Sequence, residues 1–361
     1  MEQDKKTSLD RSAEESKEST LELLKQRIAS IDILPKVEHD DRNVIEVNHL
    51  LKYFPIKEGL FSRLAGYVRA VDDVSFYIRR GTTMGLVGES GCGKTTVGKT
   101  ILRLNDKTAG QVLFNGIELH SLPHEELRKL RPKIQMIFQD PYSSLSPRFP
   151  VSEIIGEAVR EHGIVPANEF DDYIDKVMQQ CGLQPYHKDR YPHEFSGGQR
   201  QRICIARSIA LKPDFIVCDE PVSALDVSIQ AQIINLLMDL QKEMGLTYLF
   251  ISHDLSVVEH ISDTIGVMYL GNLVEHGDKK SIFSNPLHPY TEALFSSIPI
   301  PDPDVKMNRV ILEGSIPSPA NPPSGCKFHT RCSKCMQCCS ETVPELKEIE
   351  KDHFVACHLY D

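Results

Sequence analysis

The sequence predicts an α/β domain with a largely parallel sheet, an inserted helical subdomain, and a small cysteine-rich carboxy-terminal extension. Three observations carry this. Short β-rich runs alternate with helical patterns from Val44 onward, the order expected of strands joined by crossover helices. Several of the runs are almost continuously apolar, as in strands covered on both faces. A glycine-rich turn, Gly88–Gly93, joins the apolar run Met84–Val87 to a helical stretch.

Composition bounds the rest. The chain has 361 residues, 40% of them hydrophobic and 25% charged, which suits one large domain with additions. A net charge of −10 argues against nucleic acid as the main partner. No stretch approaches the ~20 apolar residues that span a bilayer. The longest, Ile261 to Val274, is broken by Asp263 and Asn272. Met1–Ser19 is almost entirely polar and lacks a signal-peptide pattern, so a cytoplasmic protein is expected, with membrane association through partners.

Residues 1–43 carry charges of both signs. Leu21, Leu24, Ile28 and Ile31 fall at helical spacing behind a capping-box pattern at Ser19–Glu22, so a short amphipathic helix is expected in a solvated arm. The main domain is expected over 44–285. Its strands are predicted at Val44–Val47, Val74–Ile78, Met84–Val87, Gln111–Phe114, Ile134–Phe138, Phe215–Cys218 and Thr247–Ile251. Helical patterns follow at Gly93–Leu104, Gly198–Leu211, Ser228–Met244 and Leu255–Ile261. The stretch from about 141 to 210 is mostly helical and reads as the inserted subdomain. Gly271-Asn272, between two apolar runs, predicts a hairpin turn. From 286 to 361 the texture changes: seven prolines between Pro299 and Pro323 mark a stiff connection, and six cysteines crowd between Cys326 and Cys357. In a reducing compartment such a cluster reads as metal binding before disulfides, whereas Cys92, Cys181, Cys204 and Cys218 read as buried thiols.

Gly88-Glu89-Ser90-Gly91-Cys92-Gly93-Lys94-Thr95 fits the pattern GxxxxGK[ST] between a predicted strand and a predicted helix. Glycines let successive amides turn around phosphate oxygens, and the helix N-terminus adds a favourable dipole. Lys94 is expected to reach the β- and γ-phosphates, and the Thr95 hydroxyl, followed by Thr96, to meet Mg²⁺. Phe215–Cys218 ends in Asp219 and Glu220, which delivers two carboxylates to the same edge of the sheet. Asp219 suits the Mg²⁺ shell and Glu220 the attacking water.

Phe195-Ser196-Gly197-Gly198-Gln199 resembles the signature motif of the ABC ATPases, with Phe195 where leucine is more usual. The resemblance implies that Ser196–Gln199 offers amides to a nucleotide bound by a neighbouring subunit. It further implies a Q-loop at Gln139 near Mg²⁺, a D-loop at Ser223–Asp226, a switch histidine at His253, and an adenine-stacking aromatic near Tyr53. The overall expectation is therefore a P-loop NTPase of the ABC nucleotide-binding type that binds and hydrolyses ATP. The sequence carries no internal repeat, so one nucleotide-binding unit per chain is expected.

Three segments resemble the peptide-importer branch: Gln139–Arg148, Leu287-His288-Pro289-Tyr290-Thr291, and the insertion Lys57–Phe61. That branch implies a paralogous or identical ATPase partner, two membrane permeases and, indirectly, an extracellular or periplasmic peptide-binding protein, with the chain on the cytoplasmic membrane face. Nickel importers share much of this pattern, and non-transport ABC ATPases are the more distant alternative. The spacing C-x5-C-x6-C-x17-C of Cys326, Cys332, Cys339 and Cys357 is similar to tails of that branch that carry a [4Fe-4S] cluster. Cys335 and Cys338 add a CxxC pair that leaves the third ligand open and keeps tetrahedral Zn²⁺ as the alternative.

Overall fold

The computed structural model describes residues 22–34, 37–59, 62–297 and 312–361. Its strands are β1 Asn43–Glu58, β2 Arg63–Arg79, β3 Thr83–Val87, β4 Ala109–Phe114, β5 Ile117–Glu118, β6 Ile134–Ile137, β7 Phe215–Asp219, β8 Thr247–Ile251, β9 Thr264–Tyr269, β10 Asn272–Asp278, β11 Lys347–Glu350 and β12 His353–Val355. They form two sheets, ordered β2-β1-β4-β5 and β11-β12-β10-β9-β3-β8-β7-β6. The first is antiparallel. In the second, β9, β3, β8, β7 and β6 run parallel.

Strands β3, β7 and β8 are buried along their whole length, as their apolar runs predict for strands packed on both sides. Alternation sorts their side chains between two cores. Phe215, Val217, Leu249 and Ile251 face the antiparallel sheet and the helix Lys94–Ile101. Ile216, Cys218, Tyr248 and Phe250 face the helical side. Because the central strands are parallel, their C-terminal ends share one edge, where Gly88, Gln139, Glu220 and His253 follow. The stretch from 141 to 209 holds the helices Pro141–Ser144, Val151–Glu161, Phe170–Gln180 and Gly197–Ile209 and no strand.

Segments near both ends of the chain pack on the main domain. The arm is not simply solvated: residues 22–32 form a helix whose Leu24 and Ile31 pack against Leu51, Tyr53 and Ala109. Of the expected capping box, Ser19–Leu21 lies outside the described residues. The carboxy-terminal extension joins the main sheet, since β12 pairs antiparallel with β10 and β11 with β12. Within that junction, the buried Glu275 carboxylate accepts from the amides of Leu287 and His288 at 2.8 and 2.9 Å and contacts His353 Nε2 at 2.8 Å. Of the proline-rich connection, residues 298–311 lie outside the described residues; 312–323 carry no helix or strand.

Asp72 ties the three parts together. Its side chain is wholly buried, and it meets Lys327 Nζ at 2.7 Å, Arg27 Nη1 at 3.2 Å and the Tyr53 hydroxyl. Burial alone would raise the Asp72 pKa, but the Lys327 ammonium and Arg27 guanidinium more than offset it and hold the carboxyl below its ordinary range.

Candidate nucleotide site

The strand β3 ends at Val87, and the loop that follows closes on itself before the helix Lys94–Ile101. Gly93, the N-cap, sits at φ +108°, and a Cβ there would lie 2.1 Å from the Ala70 carbonyl oxygen, so only glycine fits. Lys94 is buried and folds its ammonium back onto the carbonyls of Gly88 and Glu89, at 2.7 and 3.1 Å. An ammonium held by two loop carbonyls is positioned for an anion entering the loop. Cys92 is a buried thiol whose pKa burial pushes up, as expected for an inert core cysteine.

A cavity of 490 Å³ opens here, lined by Ser90, Gly91, Gly93, Lys94, Thr95, Thr96, Gln139, Glu220 and His253, with Val68, Ala70 and Pro319 forming an apolar side. Thr95 donates its hydroxyl to Asp219 at 2.7 Å. Asp219 is buried, which raises its pKa, while the Thr95 hydrogen bond pulls the other way. A hydroxyl, a carboxylate and the Gln139 amide form a hard oxygen-donor set that fits Mg²⁺. Glu220 follows β7 in the left-handed region at φ +46°, a conformation a non-glycine residue holds only when its surroundings impose it. Here its amide donates to the Ile251 carbonyl at 2.9 Å. Its carboxylate accepts from Gln139 Nε2 at 2.8 Å and lies 3.3 Å from His253 Nδ1. The predicted loop, acid pair, Gln139 and His253 are therefore brought together.

Tyr53 is not at the cavity. It is 3% exposed, packs beside Tyr67 and spends its hydroxyl on Asp72. Its neighbour Phe54 is 37% exposed and pairs across the ribbon with Val68, which does line the cavity. Sequence reasoning also missed Val68, Ala70 and Pro319; the last is docked by the Arg69 amide donating to its carbonyl at 3.1 Å.

Ser196–Gln199 does not line this cavity. Ser196 caps the helix Gly197–Ile209, its hydroxyl accepting from the Gln199 amide at 3.4 Å while its own amide donates to Gln199 Oε1 at 3.0 Å. The amides of Gly197 and Gly198 belong to the first turn, which has no intrahelical acceptor for them. Gly198 packs on Ile229, whose Cγ2 would lie 2.5 Å from a Cβ placed there. Asp226 and Val227 are exposed beside it.

In the tail, Cys335 and Cys338 are exposed, Cys339 is buried, and Cys326, Cys332 and Cys357 are partly buried. Burial pushes the Cys326 thiol up to about 12, with Cys339, Cys357 and Cys332 near enough to add to the rise. Among the described residues, however, no three His, Cys, Asp or Glu side chains are grouped so as to hold a metal ion. The side-chain geometry thus lends no support to the expected [4Fe-4S] or Zn²⁺ centre, because the thiols neighbour one another without closing a ligand set.

Residues 71–223 match the ABC transporter family, and residues 274–339 match the oligopeptide/dipeptide transporter C-terminal region. The oligopeptide transport ATP-binding protein AppF of Bacillus subtilis is 54% identical over 324 residues, covering 89% of this chain and 98% of that protein. A putative peptide import ATP-binding protein of Brucella ovis is 54% identical over 80% of this chain and 92% of its own length. Among solved structures, cbiO1 from Clostridium perfringens, part of an ABC transporter complex, matches with a TM-score of 0.58 at 26% identity, covering 68% of this chain and 92% of its own. The cassette MJ0796, solved as a post-hydrolysis dimer bound to ADP and Pi, gives a TM-score of 0.58 at 27% identity, over 65% of this chain and 98% of its own. The chain therefore belongs to the ABC transporter ATPases, in the branch that carries the oligopeptide/dipeptide transporter C-terminal region.

Proposed function

We propose that this chain hydrolyses ATP to drive import of di- and oligopeptides through a multi-subunit membrane transporter. The observation that carries the reading is the convergence of Gln139, Glu220 and His253 on the cavity floored by Lys94 and Thr95. The amides of Gly88, Ser90, Gly91 and Gly93, with Lys94 and Thr96, hold the phosphates; of the other two loop amides expected there, that of Glu89 donates to the Tyr290 hydroxyl and that of Cys92 to the Glu89 carbonyl. Thr95, Gln139 and Asp219 would hold Mg²⁺, which when bound would neutralise charge on the phosphates. Glu220 orients and polarises the attacking water, and His253 meets the γ-phosphate. The base rests against Val68, Ala70 and Pro319, with Phe54 in the stacking role first given to Tyr53.

Ser196, Gly197, Gly198 and Gln199 cover the nucleotide of a second ATPase subunit, identical or paralogous, and Asp226 communicates across that pair. Closure moves the helical subdomain against two permease subunits, which keeps the chain peripheral on the cytoplasmic face of the membrane. A separate peptide-binding protein would deliver the cargo outside. Peptides are favoured over nickel because the relatives above are named for oligopeptide and peptide transport. Deleting the chain from its source cell should abolish uptake of a labelled tripeptide and leave uptake of the free amino acids intact. Undiminished tripeptide uptake, or loss of nickel uptake alone, would retire the peptide reading.

The tail thiols are proposed as ligands on donor chemistry: four soft sulfurs at Cys326, Cys332, Cys339 and Cys357 suit a [4Fe-4S] cluster first and Zn²⁺ second. No catalytic step is assigned to that metal. Anaerobically purified protein is expected to be brown, with iron and acid-labile sulfide in equal amounts. Colourless protein containing zinc rejects the cluster, and protein with neither metal rejects both.

A further inference from the structure

The carboxy-terminal extension holds the phosphate-loop residue Glu89 by two routes. The Glu89 amide donates to the Tyr290 hydroxyl at 2.9 Å. The Glu89 carboxylate is gripped by both terminal nitrogens of Arg331, at 2.7 and 3.1 Å. This pair is sheltered, with the Arg331 side chain 7% exposed and that of Glu89 24%. Arg331 is also held in place. It lies over the Tyr269 ring, which packs on Tyr290 and on the buried Phe328. Four residues before it, Lys327 is anchored on Asp72 and the Leu270 carbonyl.

Glu89 is an awkward residue for its place. It follows Gly88 in a loop that has to receive a polyanion, and an unpaired carboxylate there would repel one. Two like charges about 8 Å apart at an effective dielectric near 20 weaken binding by roughly tenfold or more. Yet Ser90, Gly91, Gly93, Lys94 and Thr95 line the cavity while Glu89 does not. A bidentate guanidinium both neutralises the carboxylate and fixes its direction.

We infer that Arg331 is a positioning residue for nucleotide binding: it keeps the Glu89 carboxylate neutralised and turned away from the phosphate cradle, so the extension helps set affinity for a nucleoside triphosphate. Tyr290 steadies the same residue from its backbone side. The inference rests on reading Gly88–Thr95 as the nucleotide site.

The test uses the full chain and a fluorescent ATP analogue, titrated with and without Mg²⁺, with ADP compared in parallel. Arg331→Met is expected to raise the Kd for ATP about tenfold and that for ADP less, since ADP carries less charge. Arg331→Lys should retain most of the affinity. Compared with Glu89→Gln alone, the double variant Glu89→Gln/Arg331→Met should lose little, because the charge to be neutralised has gone. Equal affinity of Arg331→Met and the parent overturns the inference. So does an equal loss in the presence and absence of the Glu89 carboxylate, which would indicate bracing without charge control. Should Arg331→Met not fold, the double variant against Glu89→Gln and Arg331→Lys against the parent give the same decision. A parent chain that binds no nucleotide would instead defeat the site reading itself.

Discussion

Glu220→Gln is expected to bind Mg-ATP with nearly parental affinity and to hydrolyse it at least about a hundredfold more slowly, the range removed with a general base. The substitution is close to isosteric. The amide can still accept from Gln139 Nε2, and the backbone bond to the Ile251 carbonyl is untouched. What is lost is the negative charge that polarises a water and can accept its proton. Lys94, Thr95 and Asp219 are unaffected, so binding should survive. The left-handed backbone at Glu220 supports the assignment, since its position is imposed by the neighbouring β8 strand and not by local preference. Steady-state hydrolysis by the assembled transporter, measured beside nucleotide affinity, checks this. Turnover within a few-fold of the parent would remove Glu220 from its role.

Asp72→Asn is expected to cost about 3–5 kcal/mol of stability, the range for breaking a buried ion pair. Lys327 and Arg27 would then face a neutral amide, with the Lys327 ammonium still largely out of water. In a chain of this size that corresponds to a melting point lower by roughly 4–7 °C. Replacing Lys327 by Met in the same background should recover part of the loss, because no unpaired ammonium remains. Calorimetry of the two variants decides; an Asp72→Asn protein melting within a degree of the parent would dismiss the hub. The sign with pH follows from the depressed Asp72 pKa. Its contribution is complete above the unfolded value near 4 and is lost as pH falls through the lower folded value.

Most of the residues gathered at the cavity were legible because Gly88, Gln139, Glu220 and His253 follow strand ends, where an apolar run gives way to polar residues. Val87, Ile137, Asp219 and Ile251 mark those stops, and parallel pairing aligns them at one edge. Tyr53 failed for a local reason. The β1–β2 ribbon carries register shifts, one of them between Lys52 and Tyr53, so simple alternation does not tell which aromatic faces the nucleotide. β11 was illegible because all four residues of Lys-Glu-Ile-Glu are exposed, which leaves no buried face to read. Docking of the 22–32 helix could be seen only as periodicity, since its receiving surface at Leu51 and Ala109 lies elsewhere in the chain. The Arg331–Glu89 pair spans 242 residues and follows no spacing rule. Long-range ion pairs of this kind come from tertiary packing, and so does the way the extension joins the main sheet.

In the proposed mechanism, two half-sites meet across a pair of ATPase subunits. A structure of the Glu220→Gln protein in its assembled transporter with Mg-ATP tests it most directly. The expected result puts the Ser196 hydroxyl and the Gly197 and Gly198 amides within about 3 Å of γ-phosphate oxygens on the partner subunit's nucleotide. Finding ATP enclosed by one chain alone, with those amides turned to solvent, would contradict the claim.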